Sequence, residues 1–129
     1  MDKFDRLCQH AADLRLDVAW GEMPARIHGY YEGESRLIVL NNACTDAQLV
    51  AALAHEVGHG TYGDRCSTPA IERRADELGA SLVITRDEYA DAESDVGEHA
   101  GALARQMGVT RDLVLAWRRW WLRAGRQAA

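Results

Sequence analysis

The hydrophobic pattern changes period twice in the first third of the chain. Phe4, Leu7, Cys8, Ala11 and Leu14 recur every three or four residues, which predicts a helix over residues 3–13. Leu14-Arg15-Leu16-Asp17-Val18-Ala19-Trp20 then alternates apolar and polar, the two-residue period of a half-buried strand, until Gly21 and Pro24 break it. Residues 27–31 and 36–40 predict two more strands around a turn at Glu32-Gly33-Glu34-Ser35. The run Leu37-Ile38-Val39-Leu40 is apolar enough to lie inside the sheet.

Helical spacing returns after residue 44. Thr45-Asp46-Ala47-Gln48 has the form of a capping box and opens a helix through Leu49, Leu53, Glu56 and Val57, whose end the glycines at 58, 60 and 63 are expected to mark. Thr68-Pro69 starts the next helix, with Ile71, Ala75, Leu78 and Leu82 as its buried stripe. Thr85-Arg86-Asp87-Glu88 reads as a second capping box before a short acidic helix. Two more helices follow over 100–107 and 111–124, separated by Gly108-Val109-Thr110. This order predicts an α+β fold, a small antiparallel sheet packed with helices. The length of 129 residues predicts one domain over 1–129. Within it, residues 1–84 carry the sheet and the central helix, and residues 85–129 form a helical C-terminal extension.

Composition narrows the function classes. The net charge of −5 gives the whole chain no footprint for nucleic acid. The charge is uneven, however: residues 87–98 hold six acids and no Lys or Arg, whereas residues 111–129 hold five arginines and one acid. The first residues are charged where a secretory leader would be apolar, and no 18 apolar residues run together, so neither a leader nor a membrane span is expected. Cys8, Cys44 and Cys66 are odd in number and form no CxxC pair, which fits a reducing, cytoplasmic location.

The sharpest chemical signal is His55-Glu56-Val57-Gly58-His59. On a helix, residues four apart lie on one face about one turn apart, so both imidazoles can address one ion. Glu56 is rotated about 100° from His55, outside the ligand set but close enough to hold an activated water. A pentapeptide of this kind arises by chance in well under roughly one in a hundred chains of this length. It also falls on a capped helix, the context that the chemistry needs. The expectation is one Zn²⁺ per chain, with Glu56 as the general base.

Catalytic zinc takes a third protein ligand. The spacing HExxHxxGxxH does not supply it, because Tyr62 stands where the glycine belongs and Arg65 where the last histidine belongs. Glu72, thirteen positions after His59, is the favoured third ligand, with Glu77 and His99 as rivals. Asp76 shares a helix face with Glu72 and is placed to accept a hydrogen bond from a ligand histidine. Ala75 and Gly79 on that helix are small enough to let it approach the histidine helix closely. Tyr62, Tyr89 and His99 are candidate donors to a developing oxyanion.

Taken together, Leu53-Ala54-His55-Glu56-Val57-Gly58-His59, the preceding strand ending Leu40-Asn41-Asn42 and the later Glu72-x-x-Ala75-Asp76 resemble the ImmA/IrrE metallopeptidases over about residues 18–84. The resemblance implies a zincin-like fold of gluzincin type, zinc on His55, His59 and Glu72, and Glu56 as base. It also implies cleavage of a protein substrate, a helix-turn-helix repressor. The chain departs from the family at Leu78 and Gly79, where an aromatic residue and an alanine are usual, and in the short gap from His59 to Glu72. A substrate segment is expected to lie along an edge of the strand at 27–31 or the strand at 36–40.

Residues 102–114 have the look of a helix-turn-helix, and the last helix puts Leu113, Trp117, Trp120 and Trp121 on one side with Arg119, Arg123 and Arg126 opposite. The alternative function is therefore a non-catalytic, metal-binding regulator acting on DNA or a partner protein through these helices. The expectation is instead that the aromatic stripe packs on the core and that DNA is not a partner.

Overall fold

The computed structural model of the chain describes residues 1–128. Ala129, the last residue of the expected extension, lies outside the described residues. Helix α1 (Lys3–Asp13) leads into strands β1 (Asp17–Gly21), β2 (Gly29–Glu32) and β3 (Leu37–Asn41). Helices α2 (Asp46–Tyr62), α3 (Pro69–Val83), α4 (Arg86–Val96), α5 (Ala100–Met107) and α6 (Arg111–Trp120) follow. The fold is α+β, as the order of elements predicts.

The sheet corrects the expectation of an antiparallel one: it is mixed, in the order β1-β3-β2. β2 and β3 form an antiparallel hairpin, but β1 lies on the far side of β3 and parallel to it. The cause is the connection over residues 22–28, which carries the chain across the end of β3 instead of turning back beside β1. Asn41, buried at the end of β3, holds that crossing in place. Its side-chain amide donates to the carbonyls of Met23, Pro24 and Ile27 at 3.1, 3.3 and 2.9 Å. One amide thus ties together three loop carbonyls, of which that of Pro24 also accepts from the Ile27 amide at 2.8 Å.

The expected strand from Leu14 starts later. Leu14 caps α1 and Arg15 takes a left-handed conformation (φ 59°), so pairing begins at Asp17. Leu16 is buried between these elements and packs on α2 at Gly60.

α2 begins with the predicted capping box, Thr45 with Gln48. Its end differs from the expectation: Gly58 and Gly60 lie inside the helix, and only Gly63, left-handed at φ 65°, terminates it. Gly58 serves close packing. A Cβ there would come within 2.5 Å of the Ala75 carbonyl oxygen, and a Cβ on Gly79 within 2.5 Å of the Ala54 carbonyl oxygen. α2 and α3 therefore touch backbone to backbone at two points.

α3 is capped by Thr68, with Pro69 in its first turn. It packs on α2 on one side and on α6 on the other. That explains a correction to its expected stripe: the buried residues are Ala75, Glu77, Gly79, Ala80 and Val83, while Ile71, Leu78 and Leu82 are only half-buried. Thr85 caps α4, but Glu88 does not complete the box; it pairs with Lys3 of α1. α6 buries Leu113, Val114, Ala116 and Trp117, and the Trp117 indole donates to the Ile84 carbonyl at 2.9 Å. Beyond α6 the backbone widens into a π-helical turn, Trp121–Gly125. From this turn Arg123 reaches back to buried Glu77 at 2.6 Å.

Adding a methyl group at either contact point forces backbone to move. Gly58→Ala and Gly79→Ala are each expected to destabilise the protein by about 1–3 kcal/mol. Because either change forces the same separation of α2 and α3, the double variant should lose less than the sum. Urea unfolding of the two single variants and the double variant checks this; full additivity would mean that the two contacts act independently.

Candidate metal centre

α2 presents His55 and His59 one turn apart, with their rings at right angles and 4.6 Å between centroids. The short link over residues 63–68 returns the chain so that α3 brings Glu72 and Asp76 up beside them. Glu72 Oε1 lies 3.0 Å from His55 Nε2 and 3.2 Å from His59 Nε2, and the two Nε2 atoms are 3.0 Å apart. Each ring's other nitrogen already has a carboxylate. His55 Nδ1 lies 2.6 Å from Asp76 Oδ1, and His59 Nδ1 lies 2.9 Å from Asp64 Oδ2.

These pairings suit the neutral imidazoles that a metal ion takes. A neutral imidazole that donates from Nδ1 to a carboxylate carries its lone pair on Nε2. Two such nitrogens and a carboxylate oxygen then point at one spot, where three lone pairs repel unless a cation lies between them. A tetrahedral ion with ligand bonds of about 2.0–2.1 Å sets its ligand atoms about 3.3–3.4 Å apart. The observed separations, 3.0–3.2 Å, come close to that. His55, His59 and Glu72 are thus positioned to bind a metal ion.

Electrostatics show the same need for positive charge at this spot. Burial opposes a charge on His55, but the Asp76 hydrogen bond and the neighbouring carboxylates outweigh it and lift its pKa to about 9. Burial pushes the Glu56 carboxyl up, against the pull of the two histidines. Burial would raise Glu72 as well, but His59 and the hydrogen bonds from Ser67 and the imidazoles hold it below the ordinary carboxylate value.

Glu56 is buried at 6% exposure and contributes no atom to the cluster. It shares a cleft of about 530 Å³ with His55, His59 and Glu72, and Tyr31, Gly33, Asp64 and Arg65 also line that cleft. The two rivals for the third ligand are engaged elsewhere. Glu77 is held by Arg123, and His99 caps α5, accepting from the Ala102 amide. None of the three candidate oxyanion donors named from the sequence lines the cleft. Tyr62 lies under the Arg74 guanidinium, Tyr89 stacks on Trp117, and His99 is at its cap.

Asp64 is the residue that sequence reasoning missed. The left-handed turn at Gly63 lets the Asp64 amide donate back to the His59 carbonyl at 3.0 Å, which brings its side chain under the His59 ring. Arg74 donates to the other carboxylate oxygen at 2.6 Å. The Asp64 side chain is 7% exposed, against 45% for Asp76, so its bond to histidine is the better shielded of the two. No spacing rule marks it; the one available signal is its position directly after a helix-ending glycine.

The chain matches no known family model and no curated protein.

The purified protein is expected to bind one divalent ion per chain, and His55→Ala, His59→Ala and Glu72→Ala should each abolish stoichiometric binding. Asp64→Asn and Asp76→Asn should weaken it by about 10- to 100-fold through loss of histidine orientation. Competition with a chromophoric chelator measures all five. Full occupancy in Glu72→Ala would remove Glu72 from the ligand set.

Proposed function

We propose that this chain is a zinc-dependent endopeptidase of ImmA/IrrE type, built on a gluzincin-like site, whose substrate is a regulatory protein such as a helix-turn-helix repressor. The observation that carries the reading is a buried carboxylate, Glu56, beside a three-ligand cluster that opens into a cleft. A structural zinc site closes its fourth position with another protein side chain and has no use for such a neighbour. Two imidazoles and one carboxylate are a donor set suited to zinc.

When bound, zinc supplies Lewis-acid activation of the peptide carbonyl and of water. The chain's own residues do the rest. Glu56 takes a proton from the attacking water as its oxygen bonds to the carbonyl carbon. It then delivers that proton to the departing nitrogen as the C–N bond breaks, leaving a carboxylate and an amine. Asp64 and Asp76 hold the imidazoles in one orientation throughout. Burial, which raises the Glu56 carboxyl, suits a group that must both accept and release a proton.

Of the two strands expected to guide a substrate, β3 is central in the sheet and has no free edge. β2 lies at the edge and contributes Gly29, Tyr30 and Tyr31 to the cleft wall. A substrate segment pairing with β2 must be extended, which favours a flexible linker over a folded surface. The three free cysteines support a reducing, cytoplasmic setting. No described helix is long and apolar enough to cross a membrane.

The alternative, a regulator acting on DNA through the C-terminal helices, has less support. The second helix of the expected helix-turn-helix is α6, and its apolar side is buried. Arg123, and more distantly Arg119, are directed at Glu77.

Glu56→Gln is expected to keep zinc and fold while losing at least about 10²-fold in hydrolysis, since shape survives and the base does not. Mass spectrometry of a co-encoded repressor after incubation, with that variant as control, should show one zinc-dependent cut. Wild-type cleavage by the Glu56→Gln protein would sink the mechanism. In a fluorescence-anisotropy titration at physiological salt, duplex DNA should not bind below micromolar concentrations; tight, sequence-selective binding would favour the regulator.

A further inference from the structure

We infer that the hydroxyl of Tyr31 is the hydrogen-bond donor to the carbonyl oxygen of a substrate held at the metal centre. The register pairs Tyr31 with Ile38, so its ring lies on the sheet face shared with Ile38 and Leu40, both fully buried. β2 and β3 both pack on α2, the histidine helix. A Cβ on Gly33 would fall 3.5 Å from the edge of this ring and 2.7 Å from the Asp64 carbonyl oxygen. Gly33 therefore sits between the ring edge and the chain segment that carries the carboxylate partner of His59. Tyr31 lines the cleft together with His55, Glu56 and His59.

Its hydroxyl is closed off from solvent in this structure and has no hydrogen-bond partner among the described residues, so a substrate oxygen reaches it only as the side chains around the metal centre part. Leaving such a group unsatisfied costs about 1–3 kcal/mol, so a phenylalanine would be the more stable choice if the ring were needed for packing alone. A phenol is weakly acidic and donates well to an oxygen gaining negative charge, which is the demand of peptide addition. The other groups in the cleft wall are less suited. Ser67 already donates to Glu72, Tyr30 pairs with Val39 on the opposite sheet face, and Arg65 is exposed with its charge felt at Glu32.

The inference rests on the peptidase reading, and Tyr31→Phe tests it through three measurements. In the metal-free protein the melting temperature should stay the same or rise, since no bond is lost. In the zinc-loaded protein kcat should fall about 10²-fold with KM little changed, as for removal of one oxyanion donor. Affinity for a phosphinic peptide, whose tetrahedral anion mimics the addition step, should fall by a similar factor, while zinc affinity is unchanged. Unaltered kcat and unaltered phosphinate affinity would overturn the assignment. So would a marked drop in melting temperature, which would give the hydroxyl a structural partner. A zinc-loaded wild-type protein that cleaves no peptide would defeat the peptidase reading instead, and the phosphinate comparison would still decide what Tyr31 does.

Discussion

The backbone-to-backbone contact of α2 with α3 is the constraint on which the rest of the site depends. Ala54 meets Gly79 and Gly58 meets Ala75, an antiparallel seam with its two contacts one helical turn apart. His55 and His59 each follow a seam residue by one position, and Asp76 follows Ala75 by one. One residue is a rotation of about 100°, and in an antiparallel pair that rotation carries both helices' side chains to the same rim of the seam. Glu72, three residues before Ala75, falls on that rim too. Bulkier seam residues would separate the helix axes toward the 8–10 Å common for packed helices, and Glu72 would be drawn away from the imidazoles. Four small residues thus set the bite of the metal centre.

Charge determines what such a rim can hold. Glu56, Glu72, Asp64 and Asp76 surround two imidazoles, and Arg74 is the one arginine or lysine paired within the group among the described residues. So much negative charge in a half-buried place needs a compensating positive charge. Without a metal, a proton on His55 supplies it, which is why that imidazole stays charged up to about pH 9. A divalent ion supplies it better, because it is shared by all three convergent lone pairs, whereas a proton satisfies one nitrogen at a time. The raised His55 value and the metal geometry are therefore two expressions of one electrostatic demand.

What the sequence revealed of this follows the range of the interactions involved. His55, His59, Glu72 and Asp76 were legible because helical spacing is local and puts i and i+4 on one face. Glu77 could have been set aside by the same arithmetic, since it is rotated about 200° from the seam, toward α6. Asp64 was not legible: its place beside His59 depends on one left-handed residue, Gly63, and a glycine serves close packing equally well, as Gly58 does. The helices of the second half were readable nearly to their ends. The sheet was readable strand by strand but not in its order, because nothing in β1 itself says that its partner is β3. That information sits in Asn41, a polar residue at the end of an apolar run, whose buried amide ties down the crossing loop.

The C-terminal helices then acquire a role in the site without touching it. α3 is packed on both sides, by α2 at the seam and by α6 behind it. On the far side Glu77 is fixed by Arg123 from the π-helical turn, and the chain leaving α3 is fixed at Ile84 by the Trp117 indole. A helix touching its neighbour only through small residues gains little hydrophobic hold from that contact, since alanine and glycine bury little apolar surface. The tryptophan-rich face of α6 supplies what the seam cannot, burying large side chains against the opposite flank. The fold thus separates two tasks. The α2–α3 contact sets the distance between ligands, and the extension holds α3 at that distance. The arginines that looked like a nucleic-acid surface belong in part to this brace, because a buried Glu77 without a cation beside it would cost several kcal/mol.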